Sequence, residues 1–199
     1  MPDFSYENAA KEKGFSMVCG VDEAGRGPLM GPVCAAAVIL PENCVIEGLN
    51  DSKKLSEKKR EKLFPEIIEK AIAYCVAFAD VDEIEEHNIL EATYIAMNRA
   101  IEGLTPAADF ALIDGNRVPR DIKIPCETVI KGDAKSQSIA AASVLAKVSR
   151  DRLMVEYDKQ YPQYNFLKHK GYGTAEHIAL IKQFGPCPLH RMSFLKNIK

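Results

Sequence analysis

Four acidic residues in this chain stand where apolar runs give way to glycine. Asp22 and Glu23 follow the run at 17–21, Asp114 ends the run at 110–113 and Asp133 follows the run at 127–130, each with a glycine within three positions. Ends of strands are where an α/β sheet presents its chemistry. Carboxylates gathered there repel one another and raise each other's pKa unless a cation neutralises them. Oxygen donors without a partner histidine suit a hard ion, Mg²⁺ or Mn²⁺, better than zinc. Two such ions about 4 Å apart would activate water and stabilise the leaving oxygen of an in-line attack on a phosphodiester. Each acid also has a plainer reading. Asp114-Gly115 is a common turn dipeptide, Asp133 could cap the helix that follows, and Asp22-Glu23 could be an exposed strand end. Spacing alone does not bring the four together.

The elements that must position them follow from periodicity. The runs at 17–21 and 32–40 read as strands joined by a special turn, GRGPLMG. Ser56 is placed to cap an amphipathic helix from 57 to about 73, and 74–79 reads as a third strand. The stretch 84–102 contains a long helix closed by Gly103 as its C-cap. Strands are expected at 110–113 and 127–130, an alanine-rich helix from 138 to about 157, and a last helix at 174–184. Strands first and then alternating helices and strands indicate an α/β fold with a mixed sheet.

Composition bounds the function. The 199 residues are 47% apolar and 27% charged, the profile of one globular domain. The six cysteines form no CxxC pair and have no histidine at zinc-ligand spacing, so reduced thiols in the cytoplasm are expected. No stretch approaches the ~18 apolar residues of a membrane span. A net charge of −2 and a pI near 6.1 lack the basic footprint usual for phosphate binding. Locally the balance differs: 51–62 (DSKKLSEKKREK) carries six basic residues against three acids, and 80–91 carries six acids and no lysine or arginine.

The chain resembles bacterial ribonuclease HII in VDEAGRGPLMGPV at 21–33, DSKKLSEKKRE at 51–61, LIDGN at 112–116, KGDAKSQSIAAASVLAKVSRD at 131–151, KGYGTAEH at 170–177 and GPCPLHRMSF at 185–194. The resemblance implies a ribonuclease H-like three-layer α/β/α fold, with a mixed five-stranded sheet and a helical C-terminal extension. It implies a single domain over 1–199, with a core at about 17–160 and the substrate-side extension at about 161–199. Asp22, Glu23, Asp114 and Asp133 match the family's metal-binding carboxylates. Gly25, Arg26 and Gly27 match the loop whose main chain meets the ribonucleotide 2′-hydroxyl, the group that distinguishes RNA from DNA. Tyr172 matches the tyrosine that stacks on the sugar 3′ of the ribonucleotide, and Ser52, Lys53 and Lys54 match a segment near the substrate phosphates. Cys187, His190 and Arg191 are expected to be structural.

The implied reaction is hydrolysis on the 5′ side of a ribonucleotide, in an RNA/DNA hybrid or in duplex DNA, leaving 3′-hydroxyl and 5′-phosphate ends. The partners implied are therefore the duplex substrates, with the protein expected to act as a monomer; the tail shows no sharp motif for docking a sliding clamp. The related ribonuclease HIII type carries an extra N-terminal substrate-binding domain, whereas about 16 residues precede the first strand here. A binding module that had lost its chemistry would not be expected to keep all four acids.

Overall fold

PVCAAAVIL at 32–40 has no polar side chain, so as a strand it must be covered on both faces. In the computed structural model, which describes residues 1–196 and 198, Val33–Ile39 is the strand β2 and every residue of it is buried. β2 pairs antiparallel with β1 (Val18–Ala24) on one side and with β3 (Ala73–Ala79) on the other. β1 continues parallel to β4 (Phe110–Asp114), and β4 parallel to β5 (Cys126–Val129). The order β3-β2-β1-β4-β5 makes the expected mixed five-stranded sheet.

Two helical layers cover it. Val33, Ala35 and Ala37 point into a core shared with helix α3 (Val81–Glu102), while Cys34, Ala36 and Val38 point into another shared with α4 (Gln137–Gln160) and α2 (Glu57–Lys70). Small side chains let the helices lie close to the sheet. At Gly20 the approach is at its limit, because a Cβ there would overlap the backbone of Ser138 and Ile139 at the start of α4.

Several boundaries differ from those expected. β1 extends through Asp22 and Glu23 instead of ending before them, because the ladder to β2 runs on to Ala24 opposite Cys34. α2 is capped by the Ser56 side chain as expected, but it ends at Lys70, since Ile72 already donates to the Ile39 carbonyl and β3 begins at Ala73. α3 starts earlier, on a capping box between Asp80 and Glu83, and breaks at Asn88 (φ 73°), whose side chain accepts from Leu90 and Glu91 and restarts the helix. Gly103 is the C-cap but not in the left-handed conformation; a Cβ there would overlap the Cys75 sulfur. The polar N-terminus, from which no element was expected, forms α1 (Ser5–Glu12).

α1 has a task. Glu7, 3% exposed, accepts at Oε1 from the Ser136 hydroxyl (2.6 Å) and the Ser138 amide (2.9 Å). It therefore places a carboxylate at the positive end of α4 and braces the turn before it. C-terminal to α4, α5 (Phe166–His169) and α6 (Ala175–Phe184) enclose Met30, Met154, Tyr164, Phe166 and Cys187 in a smaller core. Met30, fully buried, thus ties the β1–β2 turn to the C-terminal region. No helix of the described residues is long and apolar enough to cross a membrane.

Gly20→Ala should lower stability by ~1–3 kcal/mol, the usual cost of overpacking, because the obstacle is helix backbone. Denaturant unfolding would show it as a lower midpoint at unchanged slope.

Candidate active site

The three segments carrying the acids meet at one end of the sheet. Asp22 and Glu23 are successive residues of β1 and project to opposite faces, Asp22 on the side of Gly20 and α4, Glu23 on that of α3. Asp114 closes β4, and its Oδ1 accepts from the Gly132 amide at 2.7 Å. That bond binds the end of β4 to the 3-10 turn Gly132–Ala134, which carries Asp133. Asp133 does not cap α4; Ser136 does, accepting from the Ile139 amide.

Electrostatics report the crowding. Burial pushes the Asp22 carboxyl well above its ordinary range, and the charges of Glu23, Asp114 and, least, Asp133 push it further; the Glu23 amide at 2.7 Å pulls the other way. Glu23 is raised by burial, with Arg26 opposing and Asp114 adding to it. Asp133 is raised to about 6, first by burial and then by Asp114 and Asp51. All donors are carboxylate oxygens, a set that fits a hard divalent cation. Among the described residues no three such side chains converge tightly enough to enclose one ion as they stand. The fit is therefore one of donor chemistry and charge, not of a closed cage.

Two hollows adjoin the acids, and Glu23 lines both. One, about 320 Å³, runs along α3 past Tyr94 and Met97 to Asp114, Asn116 and Arg117. The other, about 200 Å³, brings together Gly25, Arg26, Gly27, Ser52, Lys53 and Tyr172, the family-matched residues from three distant segments, and adds Lys147. The Tyr172 ring, 43% exposed, lies beside Gly27 and beneath the Lys147 ammonium, 5.8 Å from the ring centre. The two lysines of the SKK segment part company. Lys53 is held among Asp22, Asp133, Asp51 and Glu23, whose charges outweigh its burial and raise its pKa, whereas Lys54 is exposed and pairs loosely with Asp51 at 3.7 Å.

A family model described as Ribonuclease HII matches residues 19–197. The chain belongs to the ribonuclease HII family. It is 58% identical over 193 residues to the ribonuclease HII of Ruminiclostridium cellulolyticum, spanning 97% of this chain and 75% of that one. Among solved structures it is similar to ribonuclease H2 from Pyrococcus horikoshii (TM-score 0.75, 28% identity, 89% of this chain and 93% of that one). It is also similar to a chain of the PCNA:RNase HII complex from Archaeoglobus fulgidus (TM-score 0.73, 25% identity, 89% and 94%). The enzyme is a ribonuclease H hydrolase with the α/β fold of that family.

Sequence reading passed over several residues at this ribonuclease HII site. Lys147 sits in an otherwise alanine-rich helix and is steered by Asp151 at 2.8 Å, four positions on; that i, i+4 pair was a usable signal. Asp151 also faces Arg60 at 3.8 Å, and Arg60 donates to the Ser52 and Leu55 carbonyls, holding the SKK turn. Asp51 receives the Lys53 amide at 2.8 Å and lies against Asp133.

The tyrosine loop rests on histidines. His177 Nδ1 must donate to the Tyr172 carbonyl (2.9 Å), which leaves its Nε2 to accept from His190 Nε2 (3.1 Å), and His190 Nδ1 to accept from the Cys187 amide (2.9 Å). These tautomers follow from the hydrogen-bond network. Burial lowers both histidines to about 4. Unfolded histidine protonates near 6.5, so their contribution to stability is complete above that pH and is lost as pH falls toward about 4.

The acids have the opposite sign. A carboxyl whose pKa is raised by folding opposes folding above that pKa, and the penalty fades as pH falls. In chelator, Asp22→Asn should raise the melting temperature at pH 8, by about 2–4 °C for each ~1 kcal/mol of repulsion relieved, and the gain should shrink toward pH 5. Thermal unfolding of both proteins across that range is the check; a gain that is absent at pH 8 contradicts the crowding.

Proposed function

We propose that this ribonuclease HII hydrolyses the phosphodiester on the 5′ side of a ribonucleotide, in RNA/DNA hybrids and in duplex DNA containing single ribonucleotides, and so removes misincorporated ribonucleotides and primer remnants. One observation carries the reading: four crowded carboxylates open, through Glu23, directly onto a pocket built from a glycine loop, two lysines and an exposed tyrosine. Asp22, Glu23, Asp114 and Asp133 would hold Mg²⁺ or Mn²⁺, two ions during turnover. Bound, the ions would supply charge that polarises the phosphodiester and lowers the pKa of the attacking water.

The chain's own groups do the rest. Lys53 and Lys147 draw phosphate oxygens toward the acids. The main chain at Gly25, Arg26 and Gly27 meets the ribose 2′-hydroxyl, and the Tyr172 ring packs on the sugar 3′ of it. Water adds at phosphorus as the bond to the upstream 3′-oxygen breaks, giving a 3′-hydroxyl and a 5′-phosphate.

The deciding experiment is cleavage of a DNA duplex with one ribonucleotide, with either ion, by wild-type and Asp22→Asn protein. Asp22→Asn should lose about 10²–10³-fold in rate, equivalent to ~3–4 kcal/mol of transition-state stabilisation. A folded variant with near wild-type rate would sink the assignment. Tyr172→Ala should lose ~5–150-fold, the scale of one aromatic stacking contact, and more on the single-ribonucleotide duplex than on a continuous hybrid. Lys53→Gln should flatten the dependence of log affinity on log salt by up to about one phosphate contact, whereas Lys54→Gln should change it less. Equal effects at the two lysines would show that the pocket does not select between them.

A further inference from the structure

Arg191 has no exposed surface, and every hydrogen bond it makes ends on a main-chain oxygen. Nη2 donates to Gly25 (2.6 Å), Nη1 to Arg26 (3.0 Å) and Pro28 (2.9 Å), and Nε to Gly31 (2.8 Å). Among the described residues no carboxylate forms an ion pair with it, nor with Arg150, which donates to the carbonyls of Met30, Pro32 and Lys170. An arginine buried without a counter-charge is expensive unless every donor is used. Here Arg191 uses four of its five N–H donors, all on one loop.

A trans peptide fixes the consequence, because its C=O and the next N–H lie in one rigid plane and point in opposite directions. The Gly25 carbonyl drawn inward turns the Arg26 N–H outward, and the Arg26 carbonyl does the same for Gly27. The Pro28 carbonyl turns out the Leu29 N–H, and that one is taken by the Gly171 carbonyl at 2.8 Å. The N–H groups of Arg26 and Gly27 have no partner among the described residues, and both residues are exposed on the pocket shared with Lys53, Lys147 and Tyr172. Underneath, the loop cannot move inward: at Gly25, where φ is +98°, a Cβ would overlap the Arg150 side chain. Phe194 backs the Arg191 guanidinium, 5.2 Å from the ring centre.

We propose that Arg191 is the positioning residue for ribose recognition: it takes the acceptors of the Gly25–Arg26 peptides so that the donors of Arg26 and Gly27 are presented, unpaired, to the 2′-oxygen of the substrate. This rests on reading the pocket as the ribonucleotide site. Arg191 touches no substrate; it acts through the main chain. A lysine keeps the charge but not the fork, so it can hold at most part of the set.

The test compares Arg191→Lys with Arg191, both in an Asp22→Asn background so that cleavage is slow, with Mg²⁺ present and intact duplex verified after each measurement. Affinities are measured for two DNA duplexes identical except for one ribonucleotide. The ribose preference should fall by roughly tenfold, the loss of about one hydrogen bond's contribution to binding, while affinity for the all-DNA duplex changes less than about twofold. A folded Arg191→Lys protein that keeps its ribose preference overturns the proposal, as does equal weakening on both duplexes, which would make Arg191 a general support. If the Arg191 protein itself shows no preference, the functional reading falls first and this proposal with it. Should Arg191→Lys not fold, the parent protein still decides. The Arg26 and Gly27 amide NMR signals should shift more with the ribonucleotide duplex than with all-DNA duplex, and Arg191 guanidinium protons should exchange slowly; identical shifts or fast exchange overturn it.

Discussion

Like charges held together where water screens them poorly are the constraint to which the rest of this molecule answers. Asp22, Glu23, Asp114 and Asp133 would separate if their backbone allowed it. It does not. Asp22 and Glu23 are locked into the central strand by the ladder to β2, while the ladder to β4 holds that strand up to Val21, and Asp114 is bonded to the turn bearing Asp133. That turn is in turn braced by α1 through Glu7 and Ser136. Each brace is a short-range, directional bond, which is what resisting a steady repulsion requires.

On the pocket side a different principle operates. The recognition surface is main chain, and its shape is set by side chains that grip carbonyls from behind: Arg191 and Arg150 on the glycine loop, Arg60 on the lysine turn, His177 on the tyrosine loop. None of these needs to face the ligand. The burial of Arg191, Arg150 and His177 removes competition from water and makes their bonds firmer than they would be at the surface, so the loops are specified although they carry little hydrophobic surface of their own.

The acids were legible because each had a local signature, an apolar run ending beside glycine, and the resemblance to ribonuclease HII supplied their grouping. The sheet was legible from PVCAAAVIL and its neighbours. What escaped was whatever depends on partners far along the chain. Arg191 bonds to Gly25 across 166 positions, and nothing near either residue announces the other. α1 is polar and short, and its one decisive residue, Glu7, matters only because α4 starts beside it. The break at Asn88 lies inside a stretch whose spacing still suits an unbroken helix. Gly103 illustrates a subtler limit: its position as a cap was readable, yet the need for glycine comes from Cys75 on a neighbouring strand.

The alanine run at 35–37 has a consequence for how the gene can vary. Three identical side chains in a row give β2 almost no steric means of telling one alignment with β1 from the next, and a slip of one place exchanges the faces of every residue. Asp22 would then no longer stand opposite Ala36. Alignment must be enforced from outside the ladder, by the fixed length of the connection at 25–32 and by its anchors on Arg150 and Arg191. That connection should therefore accept some substitutions yet reject the loss or gain of a single codon, an intolerance to indels unusual for a turn between two strands.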